Sequence, residues 1–152
     1  MKIKLVVSSI ALIVGAGYGA AAMAQAKPDV LVKQRQAAMT LQGKYFGPLA
    51  GMASGKVPYN AEVIARNAAY LDTLNKMPWD GFNNNTKDEK SRALPAVFTD
   101  TAKFKESADR VQSTISQLVK VSKGGDEATV KAAINDVNKA CGACHDDFRA
   151  KQ

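Results

Sequence analysis

An apolar repeat with alternating spacings of four and three residues constrains the fold of this chain more than any other feature. In the stretch 97–118 its members are Val97, Thr101, Phe104, Ala108, Val111, Ile115 and Leu118. In the stretch 130–148 they are Val130, Ile134, Val137, Cys141, Cys144 and Phe148. Such spacing places every member on one face of an α-helix. The two stretches therefore predict two long amphipathic helices, each with one stripe facing a core.

Two further helices are predicted upstream. The first starts near Pro28, because proline suits a first helical turn, and Gly47-Pro48 is expected to bend or interrupt it. The second starts after Asn60 as its N-cap and stops at Met77-Pro78. The stripes are Leu31, Ala38, Leu41 and Tyr45, beside Val32, Arg35, Met39 and Phe46, and in the second helix Ile64, Ala68, Leu71 and Leu74. Four amphipathic helices without strand-like alternation predict an all-α chain, an antiparallel four-helix bundle with up-down-up-down topology.

Glycines and polar residues mark the predicted ends of these helices. Lys123-Gly124-Gly125 is expected to end the third helix, because glycine tolerates the left-handed C-terminal position, and Asp126 is the predicted N-cap of the fourth. Four glycines recur every four residues at 43, 47, 51 and 55. They are interpreted as fraying the end of the first helix, the alternative being close approach by another subunit. The polar loop 79–95 is long for a bundle and is expected to fold over something.

The N-terminus has the pattern of a secretory signal peptide. Lys2 and Lys4 precede an apolar run, and Ala22-Met23-Ala24 stands before Gln25 as a small-residue cleavage pattern. This predicts a signal peptide over 1–24 and a mature domain over 25–152, exported to the periplasm. An uncleaved anchor is the alternative. No other stretch is long and apolar enough to span a bilayer, so we expect no stable membrane insertion after cleavage.

The charge balance is basic but dispersed. The formal net charge is +7, from 21 basic and 14 acidic residues, and loss of Lys2 and Lys4 lowers it to +5. The lysines are interleaved with acids and form no basic tract or nucleic-acid motif, so nucleic acid is not an expected partner. The pattern is typical of a solvated mixed surface.

The only two cysteines and the only histidine of the chain fall within the five residues "CGACH" at 141–145. On a helix, Cys141 and Cys144 share a face, and His145 lies one turn above Cys141. Two thiols so spaced can add to the two vinyl groups of a haem as thioethers, and the adjacent imidazole can bind the iron. Cys-x-x-Cys-His is the pattern of c-type haem attachment. It predicts one covalent haem c on Cys141 and Cys144, with His145 as the proximal ligand.

Three other interpretations account less well for this motif. A structural zinc site needs four ligands, whereas the motif offers three. A thioredoxin-like Cys-x-x-Cys normally starts a helix in a βαβ unit, whereas this one lies near the end of a helix. A buried pair of free thiols is the simplest alternative. Without a second histidine, the sixth iron position must hold methionine, lysine or an exogenous ligand, or stay empty.

Five segments in order resemble the class II c-type cytochromes, chiefly the cytochrome c′ family. They are "RQAAMTLQGKYFG" at 35–47, "VPYN" at 57–60, "MPWDGF" at 77–82, "LPAVFTDTAKF" at 94–104 and "CGACHDDFRAKQ" at 141–152. The resemblance spans the mature chain, and its last segment is the most specific. It implies a four-helix bundle with the covalent haem in its core.

The resemblance also implies roles for individual residues on the first helix. Arg35 and Gln36 match an Arg-Gln pair that contacts a haem propionate, and arginine can hold a carboxylate by two parallel hydrogen bonds. Met39 matches the position over the open face of the haem.

Further implied roles fall in the loop and near the C-terminus. Arg149 matches a basic residue beside the proximal imidazole, where it tunes the iron or binds an anion. Phe82 and Phe98 are expected to pack on the haem. Arg92 departs from the family pattern, because relatives often carry an acidic or polar propionate partner there.

The implied function is binding of nitric oxide or carbon monoxide at a five-coordinate, high-spin iron, electron transfer with an unidentified redox partner, or both. The alternative is a low-spin electron carrier of the c-556 type, with Met39 as the sixth ligand. Family members often form homodimers through the first two helices, so a homodimer is possible. Peroxidase chemistry needs a distal acid–base group, usually histidine, and because the chain has no second histidine we do not expect an enzyme.

Overall fold

Four long α-helices form the framework of the protein in a computed structural model that describes residues 26–151. The helices are α1 (Pro28–Ala53), α2 (Ala61–Leu74), the short α3 (Ala96–Thr99), α4 (Thr101–Val121) and α5 (Glu127–Phe148). Each long helix packs on the next, and α5 packs back on α1. This is the predicted up-down-up-down bundle, with no β-strand among the described residues. The predicted signal peptide, 1–24, lies outside them, and within 26–151 no helix is long and apolar enough to cross a membrane.

Two predicted N-caps are confirmed. The Asn60 side chain accepts a hydrogen bond from the backbone N–H of Val63 at 2.9 Å, at the start of α2. The Asp126 carboxylate accepts one from the backbone N–H of Thr129 at 2.9 Å, at the start of α5. Each cap supplies an acceptor for an N–H group that lacks an intrahelical partner. The start of α1 at Pro28 is also as predicted.

Gly47-Pro48 was expected to bend or interrupt α1, and the interruption is wrong, because α1 continues to Ala53 with Pro48 inside it. A proline in a helix interior costs about 3 kcal/mol. The residues that follow offset this cost, since Leu49 and Met52 are both buried in the core. The glycines at 43, 47 and 51 therefore lie within the helix rather than fraying it. Leu41, which was placed on a core stripe, is 40% exposed.

The helix predicted over 97–118 is divided in two. Asp100 separates α3 from α4, and its side chain caps α4 by accepting from the backbone N–H of Lys103 at 3.3 Å. Thr101 is consequently exposed rather than part of the stripe. The left-handed glycine predicted after this helix is also wrong, since Gly55 is the one described residue with positive φ. Gly125 is required for space instead, because a Cβ there would lie 2.6 Å from the Val121 carbonyl oxygen.

The solid core occupies one end of the bundle, where the second half of α1 meets the first half of α5. Its fully buried members include Leu49, Ile64, Leu71, Ile115, Leu118, Ile134, Val130 and Val137. The predicted stripes of α4 and α5 supply most of them. The other end of the bundle, formed by the first half of α1 and the last turns of α5, is not filled by side chains.

Candidate haem-binding site

A cavity of about 560 Å³ lies at this second end of the bundle. Its walls come from all five helices and from the loop 79–95. The volume is within the range of about 300–1,000 Å³ that is usual for small-molecule and cofactor sites. The bundle therefore encloses space for a group that the protein itself does not provide.

Cys141, Cys144 and His145 all line this cavity from the last two turns of α5. The two thiols are half-buried and are not joined in a disulfide. Burial raises the pKa of Cys141 to about 11, with a smaller contribution from Cys144. Burial also raises the pKa of Cys144. The site thus favours uncharged sulfur, which suits a thioether and disfavours the thiolate that a zinc ion needs.

His145 is favoured in its neutral form. Burial lowers its pKa, and the positive charges of Arg149 and Arg92 lower it further. A neutral imidazole has a nitrogen lone pair available for a metal. No cluster of three or more potential His, Cys, Asp or Glu metal ligands occurs in the described part of the chain. The arrangement therefore does not fit a zinc site built from protein ligands alone.

The loop 79–95 folds over the cavity, as expected from its length. It begins with two single 3₁₀ turns, Trp79–Gly81 and Asn84–Thr86. It ends against the C-terminus of α5, where the Leu94 N–H donates to the Phe148 carbonyl at 3.0 Å and the Ala150 N–H donates to the Arg92 carbonyl at 2.9 Å. The loop is therefore attached to the helix that carries the Cys-x-x-Cys-His motif.

Arg35 is the buried charge of this site, with a side chain only 3% exposed. Its Nη1 donates to the Gly81 carbonyl and, at 2.9 Å, to Thr86 Oγ1. Its Nη2 donates to Ser91 Oγ at 3.0 Å. The guanidinium carbon lies 4.3 Å from the centre of the Phe82 ring. Arg35 thereby connects α1 to three points of the loop.

The charges that line the cavity are all positive. Arg35, Arg92 and Arg149 contribute to its walls, whereas no Asp or Glu does. Burial lowers the pKa of Arg35, and no carboxylate of the described residues forms an ion pair with it. A buried cation without a counter-ion is costly. These walls therefore fit a bound group that brings its own carboxylates, as a haem brings two propionates.

The structure brings nine of the ten predicted site residues to this cavity. They are Arg35, Gln36, Met39, Phe82, Arg92, Cys141, Cys144, His145 and Arg149. Phe98 is the exception, because it is half-buried on α3 without lining the cavity, while Val97 before it does so. Consecutive helical residues point about 100° apart, so only one of this pair faces inward.

Three rings of an aromatic cluster in the cavity wall, those of Trp79, Phe104 and Phe148, were missed as part of the site, whereas Phe82 of the same cluster was predicted. The ring centre of Phe104 lies 6.1 Å from that of Trp79, 5.0 Å from that of Phe82 and 5.2 Å from that of Phe148. All four rings line the cavity. Phe104 and Phe148 were predicted as ordinary core residues. They differ from the rest of the core only in their position, because they lie at the end of the bundle that holds the cavity. Aromatic walls of this kind suit a flat macrocycle.

Comparison with known protein families gives a match that includes the residues of this cavity. The sequence model of the family described as Cytochrome C' matches residues 30–149. The chain belongs to the cytochrome c′ family. The family carries covalent haem c, and the Cys-x-x-Cys-His motif of this chain, with Cys141 and Cys144, has the pattern of such an attachment.

Individual relatives cover nearly the whole domain. Cytochrome c' from Rubrivivax gelatinosus is 41% identical over 82% of this chain and 98% of its own, and its crystal structure superimposes with a TM-score of 0.78. Cytochrome c' from Alcaligenes xylosoxydans xylosoxydans is 38% identical over 84% of this chain and 98% of its own. A variant of the Alcaligenes protein, solved as its nitric oxide complex, has a TM-score of 0.77. Cytochrome c-556 from Agrobacterium tumefaciens is 30% identical over 80% of this chain and 98% of its own.

Proposed function

We propose that this protein binds small uncharged gases, nitric oxide or carbon monoxide, at a five-coordinate, high-spin haem iron whose single protein ligand is His145. The observation that carries the proposal is the apolar wall to which half-buried Met39 contributes from α1, together with Phe46 and Leu71. These apolar side chains favour uncharged ligands, because an anion in contact with them would lose its hydration without gaining a hydrogen bond from them. The nitric oxide complex of the Alcaligenes relative supports the same function.

The haem supplies the iron that binds the gas and a one-electron couple. In our proposal Arg35 and Gln36 hold one of its propionates. Arg35 has five N–H groups, and three of them donate to Gly81, Thr86 and Ser91. The remaining two have no acceptor among residues 26–151 and are available to a carboxylate.

The remaining cavity residues are assigned from their contacts. Phe82, stacked against Arg35, packs on the macrocycle. Arg149 and Arg92 are exposed at the cavity rim, and both lower the pKa of His145. We assign them one electrostatic role beside the proximal ligand, with Arg149 also able to bind an anion there. The resemblance implies an acidic or polar propionate partner at position 92. Arg92 is a cation instead.

The alternative is a low-spin electron carrier in which the Met39 sulfur ligates the iron. Two observations favour keeping it: Met39 lines the cavity, and one relative is a cytochrome c-556. Histidine–methionine ligation raises the reduction potential and suits electron transfer. We rank it second because the two relatives with the higher identities, 41% and 38%, are both named cytochrome c'.

Absorption spectroscopy of the purified haem protein separates the two functions. Broad high-spin bands that shift when carbon monoxide is added to the dithionite-reduced protein are the expected result. Met39→Leu should leave these bands nearly unchanged, as should the control Met77→Leu, because Met77 is exposed and does not line the cavity. Sharp low-spin bands that become high-spin only in Met39→Leu would establish the electron carrier instead.

Peroxide turnover is not part of the proposed function. A peroxidase needs a group that moves protons on the open side of the iron, and His145, the only histidine of the chain, is assigned to the other side. Addition of peroxide and a reducing dye should give turnover no faster than free haem. Faster turnover would make the protein an enzyme.

We propose that the protein acts in the periplasm after cleavage before Gln25. The intact mass of the haem protein purified from a periplasmic fraction tests this, and a mass that includes residues 1–24 would contradict it.

We also propose a homodimer through α1 and α2, because Leu41 and Tyr70 are 40% and 44% exposed on these helices. Sedimentation should then give twice the protomer mass, and Leu41→Glu should lower it to that of a monomer.

A further inference from the structure

Gly43 lies in the interior of α1 without an evident structural need for glycine. Its φ is not positive. A Cβ built at this position would meet no atom within 4 Å outside its own helical neighbourhood, so no close packing excludes a side chain. Glycine in a helix interior is less favourable than alanine by about 1 kcal/mol. Glycine at this position therefore lowers the stability of the helix, and no close packing compensates for it.

Gly43 is also part of the cavity wall. Gln36, Thr40 and Gly43 all line the cavity and are exposed, so they form its rim on α1. Among these three rim residues only Gly43 has no side chain. Met39, which lines the cavity as well, precedes Gly43 by four residues, so the two occupy the same face of the helix one turn apart.

The direction of side chains on a helix makes this spacing informative. Each Cα–Cβ bond tilts toward the N-terminus, so a residue covers the surface over the turn that precedes it. A side chain at position 43 would therefore cover the surface beside Met39. Because residue 43 is glycine, this surface is left uncovered, and a Cβ there would meet no atom within 4 Å. We call this uncovered surface the Gly43 notch.

We propose that Gly43 controls the access of small uncharged ligands to the open side of the haem iron, because the Gly43 notch receives the Met39 side chain when such a ligand binds there. This inference rests on the proposed gas-binding function. Methionine is unbranched and has three rotatable bonds, so it can move into a notch at its own helix face. Filling the notch should hold Met39 over the iron and hinder ligand binding, with no change in the haem attachment or in His145.

Gly47 offers a matched control on the same helix. It lies one turn beyond Gly43, is exposed, and a Cβ there would also meet no atom within 4 Å. It does not line the haem cavity. Gly47 precedes Pro48 inside α1, and a Cβ before proline is disfavoured in a helix, so only Gly43→Ala should raise the melting temperature. The control therefore applies to ligand binding rather than to stability. Only substitutions at 43 should affect ligand binding.

The experiment measures carbon monoxide binding to the reduced holoprotein by rapid mixing and by equilibrium titration. Gly43→Leu should lower the association rate and the affinity by about tenfold or more, the size expected for added apolar groups in a binding pocket. Gly43→Ala should act in the same direction with a smaller effect. Gly47→Ala and Gly47→Leu should stay within about twofold of the wild type, as substitutions away from the site usually do.

A double-mutant cycle tests whether the effect passes through Met39. In a Met39→Ala background, Gly43→Leu should lose most of its effect, because no long side chain needs the notch. An equal effect in both backgrounds would overturn the proposal and make position 43 a simple obstruction. Gly43→Leu binding like the wild type would also overturn it. A wild type with low-spin bands and no carbon monoxide binding would instead refute the proposed function, and this inference with it.

Discussion

The hydroxyl of Thr86 is the most informative single group for the loop that covers the haem cavity. Thr86 is 1% exposed. Its Oγ1 accepts a hydrogen bond from Arg35 Nη1 at 2.9 Å and lies within donating distance of two carbonyl groups, those of Asn83 at 2.8 Å and Gly81 at 3.0 Å. Thr86→Val keeps the shape of the side chain and removes this hydroxyl. We expect the variant to fold with the loop weakened where it meets α1.

The magnitude follows from the bonds that are lost. A hydrogen bond to a charged group contributes about 1.5–3 kcal/mol and a neutral one about 1 kcal/mol, and a buried donor left without a partner adds to the loss. Thr86→Val should therefore lower the free energy of unfolding by about 2–4 kcal/mol. For a domain of this size that corresponds to a melting temperature lower by roughly 8–15 °C.

Thermal unfolding of the haem protein, followed by circular dichroism, is the assay. Thr73→Val is the matched control, because Thr73 is exposed and its Oγ1 donates only to the Ala69 carbonyl of its own helix, at 3.2 Å. The control should change the melting temperature by no more than about 2 °C, as surface substitutions usually do. A Thr86→Val protein as stable as this control would show that the buried hydrogen bonds of Arg35 do not hold the loop.

Three other perturbations test the fold and its dependence on haem. Ile134→Ala truncates a fully buried side chain outside the haem cavity and should cost about 2–5 kcal/mol in urea unfolding with an unchanged visible spectrum; a spectral change would place Ile134 at the site. Asp126→Ala removes the α5 cap, whose hydrogen bonds from Thr129 lower the pKa of Asp126. Relative to the wild type, the variant should therefore lose free energy of unfolding fully at neutral pH, and this loss should disappear as the pH falls below the ordinary pKa range of aspartate. A loss that does not depend on pH would contradict this. The double variant Cys141→Ser, Cys144→Ser should lose covalent haem and melt far below the wild type, and equal melting would show that the bundle is complete without it.

The parts of the fold that follow from local chemistry were predictable. The stripe of α5 is the clearest case, because Val130, Ile134 and Val137 are buried as the spacing predicted. Asn60 and Asp126 were predictable caps, since a short polar side chain before a periodic stretch has few other uses. The Cys-x-x-Cys-His motif was predictable because all three of its reactive side chains are close in sequence.

Features that depend on distant contacts were not predictable. Pro48 is tolerated inside α1 because the core buries the residues after it, which no local pattern shows. Asp100 divides α3 from α4 by capping the second, although the apolar spacing runs on across it. Thr86 and Ser91 belong to a polar loop with no periodicity. Their role became visible only when that loop was seen folded onto Arg35.

The loop also connects the two ends of the haem site. Ser91 Oγ accepts from Arg35 Nη2 at 3.0 Å and from the Ala93 N–H at 3.3 Å. Ala93 pairs with Arg149 as an isolated antiparallel bridge, and the Arg149 N–H donates to the His145 carbonyl at 3.0 Å. A continuous set of bonded groups thus runs from the buried cation to the proposed iron ligand. Because this path passes through the backbone of 91–93, the same loop segment is bonded both to the buried Arg35 and to the end of α5 that carries His145, without a direct contact between the two residues.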